Sequence, residues 1–187
     1  FLRDISSWAI KFNIFHTSLS ALLFILRKYI HYPIPKDPRT LLKTPRHTAI
    51  LKMGTGEYCH FGLENALKDM LDEYANKVRY QPNSLNILIN IDGLPIFKSN
   101  NSSLWLILCS DTILKSVFIV GAYFGQTKPE NHNNFLRRFV DEAILLINNG
   151  LVHNEIRVAI NLHGLICDAP AKAFVLAVKN HTGYNSC

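Results

Sequence analysis

The spacing of apolar residues changes character about halfway along the chain. In the first half it is helical. Leu63, Ala66, Leu67, Met70, Leu71 and Tyr74 recur at three- and four-residue intervals and predict a helix over Leu63–Tyr74. Before it, Asp4–Phe12 reads as a short helix, and Thr17 or Ser18 as the N-cap of a second helix running to Tyr29. Pro33, Pro35 and Pro38 then break the chain, Arg39–Lys52 reads as a loop with short ordered pieces, and Gly54-Thr55-Gly56 as a turn. Gln81-Pro82-Asn83-Ser84 separates this part from a second half with strand periodicity. There the expected strands are Leu85–Phe97, interrupted at Gly93 and Pro95, then Leu104–Cys109 and Val117–Phe124. A helix follows, capped by Asn133 or Asn134. Its apolar stripe is Phe135, Leu136, Phe139, Val140, Ala143, Ile144 and Ile147, and Asn149-Gly150 ends it. Ile156–Cys167 is a fourth strand, alternating at Val158, Ile160 and Leu162, and Pro170 opens a short helix over Ala171–Lys179.

Two regions are therefore expected: a mostly helical, basic part over residues 1–84 and an α/β part over 85–187. The second part reads β-β-β-α-β-α. Short links between the first three strands favour an antiparallel meander. This order is the opening of a ribonuclease H-like core, here incomplete, in which the fourth strand lies parallel beside the first.

Composition narrows the class. The chain has 187 residues, 48% apolar and 18% charged, which excludes disorder and allows a sizeable core. Lys and Arg number 20 against 14 Asp and Glu, a net charge of +6. Residues 1–84 hold 12 basic against 7 acidic residues, and 85–187 hold 8 against 7. The basic excess thus lies in the helical part and suits an anionic partner. No apolar run reaches the roughly 18 residues of a membrane span. Cys59, Cys109, Cys167 and Cys187 are scattered, with no Cys-x-x-Cys pair; three sit in apolar company and are expected as reduced, buried thiols of an intracellular protein. The chain starts at Phe1 and stops at Cys187, and is expected to be a fragment of something longer.

The candidate chemistry lies in two acids. Asp92 ends the apolar stretch of the first strand and Asp168 follows the fourth. Each is flanked by apolar residues, where a lone charge is costly. Adjacent carboxylates repel unless a cation sits between them. Hard divalent cations favour oxygen ligands, and two such ions activate an attacking hydroxyl and stabilise the leaving oxygen at a phosphodiester. An Asp before Gly or Pro is also an ordinary turn or cap residue. Their placement on the first and fourth strands of one pattern is what favours a shared site.

Several strings resemble a group of insect transposase-like proteins, similar to the transposases of CACTA-type cut-and-paste DNA transposons. They are Ile91-Asp92-Gly93-Leu94-Pro95-Ile96-Phe97-Lys98-Ser99, Cys167-Asp168-Ala169-Pro170-Ala171-Lys172-Ala173-Phe174 and His181-Thr182-Gly183-Tyr184-Asn185-Ser186-Cys187, with Leu41–Arg46 and Gly56–Leu63 less specific. The resemblance covers nearly the whole chain. It implies a three-acid catalytic domain in which Asp92 and Asp168 hold Mg²⁺ or Mn²⁺, cleaving and transferring DNA strands at transposon ends, in the nucleus. No acidic residue follows Asp168, so the third acid is missing and this chain is expected to be inactive alone. In the group resembled, the Gly-Tyr-x-x-Cys string is followed by a further Cys. His181 and Cys187 would then be part of a Zn²⁺ site completed in the full-length protein; by themselves one His and one Cys cannot close a tetrahedral site, and an exposed tail is the favoured reading of this segment.

Lys98, Lys128, Arg137 and Arg138 are phosphate-contact candidates, and the basic stretch Lys36–Lys52, with Lys43 and Arg46, is the better DNA-backbone candidate. His163, inside the fourth strand, reads as a core or edge residue before a catalytic base, and Trp105 and Phe118 as sheet core before base-stacking platforms. DNA is the expected partner, with no membrane, and self-association fits the class. The competing reading is a domesticated or decayed transposon-derived module that binds DNA or protein without catalysis. A more distant one is a helical interaction module over residues 1–84 on an inert α/β domain.

Overall fold

A computed structural model of the chain describes residues 1–44, 49–96 and 102–178. It divides into two compact units, 1–48 and 49–187.

The first unit is helical. Helix α1 spans Leu2–Lys11, α2 His16–Tyr29 and α3 Pro38–Leu41. The stripe Ala9, Leu19, Leu23, Ile34 and Leu41 is buried as a small core of its own, with Leu2, Ile5, Ile14, Leu22, Leu26 and Leu42 packed against it. The prolines act as their fixed φ dictates. Pro33 and Pro35 carry the chain on after α2, and Pro38 opens α3 behind the Asp37 cap, whose carboxylate accepts the Arg39 N–H at 2.8 Å. Helix α2 begins at His16, a residue or two before the expected hydroxyl caps, with no side-chain cap bond.

The second unit is a mixed α/β layer. Its strands are β1 Ile50–Met53, β2 Gly56–His60, β3 Ser84–Pro95, β4 Ser103–Asp111, β5 Val117–Gly125, β6 Leu151–His153 and β7 Ile156–Cys167, and its helices are α4 Leu63–Glu73, α5 His132–Asn149 and α6 Ala169–Val175. The strand order is β1-β2-β5-β4-β3-β7-β6. Strand β3 runs antiparallel to β4, β4 to β5, and β3 parallel to β7. The expected meander and the parallel fourth strand are both present.

The sheet unit begins earlier than the expected boundary at residue 84. Strand β2 pairs with β5 over Glu57–His60, and the apolar face of α4 joins the same core as the central strands. Residues 49–84 therefore belong with the sheet. Strand β3 continues through Gly93 to Pro95 instead of breaking, because Gly93 pairs with Trp105 and Pro95 ends the strand opposite Ser103. The cap of α5 is Asn131, whose side chain accepts the Asn134 N–H at 3.1 Å, not Asn133 or Asn134.

One sheet face is buried. Leu85, Ile87, Ile89 and Ile91 of β3, Trp105, Ile107 and Cys109 of β4, and Val120 and Tyr123 of β5 pack with Leu67, Met70, Phe135 and Phe139 of the helices. Cys59, Cys109 and Cys167 are free thiols, but only Cys109 is buried; Cys59 and Cys167 are half-buried, against the expectation of buried thiols. Burial pushes Cys109 up to about 12. Among the described residues no helix is long and apolar enough to cross a membrane.

Candidate metal centre

Asp92 takes its place from the alternation of β3. Leu85, Ile87, Ile89 and Ile91 point into the core, so the next residue leaves on the opposite face, half-buried. Gly93 follows because the Trp105 ring lies across the strand: a Cβ there would fall 2.6 Å from the indole. The Asp92 carboxylate accepts the Gly93 N–H at 2.7 Å through Oδ1.

Asp168 is delivered by β7. In the first part of that strand Val158 and Ile160 are the buried residues; near its end Cys167 packs against the same core. The even positions face inward first and the odd position later. The change is made by one extra residue. Ile87 pairs with Leu162 and Leu88 with Gly164, so His163 is passed over as a β-bulge. The pairing then ends on Ile91 with Cys167. Asp92 and Asp168 each stand one residue beyond that pair, on neighbouring parallel strands at the same end of the sheet. Both carboxylates act on the thiol of Cys167, which burial, Asp168 and Asp92 push up.

Asp168 is exposed and also caps α6: its Oδ1 accepts the Ala171 N–H at 2.7 Å. Helix α6 is held down by Phe174, whose ring packs against Trp105 at a tilt of 59°, with centroids 4.9 Å apart. The same indole thus fixes Gly93 beside one acid and the helix that begins at the other. Among the described residues, no hydrogen bond or ion pair engages the second oxygen of either carboxylate. Two Oδ2 atoms at one sheet end suit a hard divalent cation as part of its ligand set. Among the described residues no group of three or more His, Cys, Asp or Glu side chains could hold a metal ion.

The other expected residues fall as follows. Lys128 is exposed, with its ammonium 5.6 Å from the centroid of the Phe174 ring, which ties it to α6. Lys43 is exposed in the helical unit, and Arg137 and Arg138 are exposed on α5. Lys98, Arg46, His181 and Cys187 lie outside the described residues. His163 is the bulge residue and is exposed, an edge residue and not a core one. Trp105 is buried and Phe118 partly buried against the core, as expected.

Sequence reasoning missed the bulge. Its signal was present: apolar residues at 158, 160 and 162, then at 165 and 167, a switch of parity that a regular strand does not make. It also missed a relay away from the acids. The Tyr58 hydroxyl and His60 Nδ1 are 2.9 Å apart, His60 Nε2 lies 3.2 Å from Glu142 Oε2, and that oxygen accepts the Leu63 N–H at 2.5 Å. With Tyr58 buried and Glu142 bonded to the start of α4, this group joins β2, α4 and α5 and is structural.

No family model, curated protein or solved structure matches the chain.

Proposed function

We propose that the sheet unit is the metal-binding part of a ribonuclease H-like DNA strand-transfer domain of the transposase type, with Asp92 and Asp168 as two of its acids, and DNA as substrate in the nucleus. The observation that carries the reading is the parallel pair Ile91–Cys167, which leads both acids out of the sheet at one end. The strand order β5-β4-β3-β7 supports it, with α5 crossing between the last antiparallel strand and the parallel one.

The chain's own contribution is positioning. Each Asp has its Oδ1 held by a backbone N–H, which fixes the rotamer and leaves Oδ2 as the donor towards a cation. Bound there, Mg²⁺ or Mn²⁺ would supply the activation of an attacking hydroxyl and the charge neutralisation that phosphodiester cleavage requires. Without a cation the two carboxylates repel.

Mn²⁺ titration followed by electron paramagnetic resonance tests the reading. Asp92→Asn and Asp168→Asn each keep the local N–H bond and remove one anionic donor. Each is expected to weaken Mn²⁺ by about tenfold or more. Equal Mn²⁺ binding by the wild type and the double variant would remove the proposed centre.

A second reading has its own observation: both acids already serve the backbone, Asp168 as a helix cap and Asp92 on the Gly93 N–H. A non-catalytic, DNA- or protein-binding descendant would keep them for that alone. In that case Asp168→Ala would cost about 1 kcal/mol of stability and Asp168→Asn almost nothing. Mn²⁺ would then leave the melting temperature of all three proteins unchanged.

A further inference from the structure

The net charge is not spread over the molecule. Residues 1–48 carry eight Lys and Arg against two Asp and Glu, whereas residues 49–187 carry twelve of each. The whole excess of +6 therefore belongs to the helical unit. One of its two acids is already committed: Asp37 binds Arg39 Nη2 at 2.8 Å.

The same unit contains a cleft of about 760 Å³ between α1, the Pro33–Pro35 segment and α3. Arg3 and Lys43 line it together with the hydroxyl residues Ser6, Ser7 and Thr40, and no acidic residue does. Its floor is apolar, from Ile34 and Leu41. Two cations, three hydroxyls and no carboxylate make a cradle for phosphate oxygens. Beside it, Tyr32 is half exposed and meets Phe1 edge to face with centroids 5.9 Å apart. The unit exposes further rings: Phe12, Phe15, Phe24 and Tyr29. The ammonium groups of Lys11 and Lys28 sit 5.6 and 5.2 Å from the centroids of Phe12 and Tyr29. Cationic side chains interleaved with open aromatic faces suit unpaired bases on a phosphate backbone, which a stacked duplex does not offer.

We propose that residues 1–48 dock single-stranded DNA, with Arg3, Lys43 and the neighbouring hydroxyls on backbone phosphates and the Tyr32–Phe1 pair taking a base. The inference rests on DNA being the partner, and not on Asp92 and Asp168.

Fluorescence anisotropy with the whole chain and a labelled oligothymidylate of about 20 nucleotides measures it. Chelator is present throughout, so that no contact through a cation at the acid pair enters. Duplex of the same length and phosphatidylserine-containing vesicles form the other two arms. The expected result is tightest binding to the oligothymidylate, weakening as salt rises. Arg3→Gln with Lys43→Asn should lower the slope of log affinity against log salt by about 1.4, two single-strand phosphate contacts. Asn suits position 43 because its φ of 52° is left-handed. If the double variant loses helicity by circular dichroism, Arg3→Gln alone should lower the slope by about 0.7. Tyr32→Ala should weaken binding about tenfold and Tyr32→Phe should not. An unchanged slope in a folded variant overturns the proposal, as does equal or tighter binding to duplex or vesicles. Single-strand binding without Mn²⁺ binding would leave this inference standing and end the proposed metal centre; the converse would do the opposite.

Discussion

Ile91 of β3 pairs with Cys167 of β7 because the one extra residue of β7, His163, is passed over in the ladder. Upstream of the bulge the two strands are offset by 75 positions, as in Ser84 with Ala159; downstream by 76, as in Ile91 with Cys167. With the first offset carried to the end, Asp168 would lie opposite Gly93 and on the core side. A one-residue slip exchanges the faces of a strand.

His163 is therefore a spacer. Deleting it should make β7 regular without changing which residues pair, leaving Mn²⁺ affinity within about twofold and stability within about 1 kcal/mol of the parent. His163→Ala should be equally mild. Inserting one Ala between Leu165 and Ile166 adds a residue that the strand cannot absorb in register, and should cost about tenfold or more in Mn²⁺ affinity. Mn²⁺ titration alongside thermal unfolding checks all three. Loss of affinity on deletion would give His163 a direct role.

Gly93 and Trp105 form the joint between the two acids. Gly93→Ala places a methyl 2.6 Å from the indole. The ring must move, and Phe174 of α6 moves with it. The expected cost is about 1–3 kcal/mol. Trp105→Ala should cost about 3–5 kcal/mol and release α6, so that Asp168 loses its fixed place. Urea unfolding reads the stabilities. A Gly93→Ala variant as stable as the parent would show that the indole does not lie where it is described.

Strand β7 is expected over Ile156–Cys167 and occupies that range, because its periodicity is local and long. The α5 stripe holds only in part: Phe135 and Phe139 are buried and Leu136 and Ala143 pack against the core, but Val140, Ile144 and Ile147 are exposed and Leu146 is buried instead. Strands β1, β2 and β6 were not legible. They are four, five and three residues long, and each exists because a neighbour supplies the pairing. The same cause moved the domain boundary. The sequence changes period at Ser84, but β2 is tied to β5, more than sixty residues away, and only that long-range pairing assigns residues 49–84 to the sheet. The acids themselves were legible as residues. Their convergence depended on the bulge, and the Arg3–Lys43 cleft on a chain reversal that brings α1 and α3 together.

The β6–β7 hairpin offers a stabilising change. Its two-residue turn, Asn154-Glu155, has φ of 48° and 67°. Both values are left-handed, the arrangement that favours Asn followed by Gly. Asn154 suits it; Glu155 is held there against its preference. Glu155→Gly should raise stability by about 0.5–1 kcal/mol, read as a higher melting temperature. A decrease would mean that the Glu155 side chain makes a contact worth more than the backbone strain.

Glu73 gives the sheet unit a defined acid sensitivity. The side chain sits at the end of α4, bonded to Lys77 one turn on, and accepts the Ser116 hydroxyl at 2.6 Å. The Lys77 ammonium first, and Ser116 second, hold its carboxyl below the usual range. A carboxyl that is more acidic folded than unfolded adds stability above its unfolded pKa, and that stability is lost as pH falls through the folded value. Both partners are partly solvated, so the amount is under about 1 kcal/mol. Glu73→Gln removes this proton linkage and keeps the shape. It should lower the melting temperature slightly at neutral pH and flatten the decline between about pH 5 and about pH 3. Ser116→Ala should act in the same direction by a smaller amount, since the Lys77 bond remains. Parallel melting curves for parent and both variants across that range would refute the assignment.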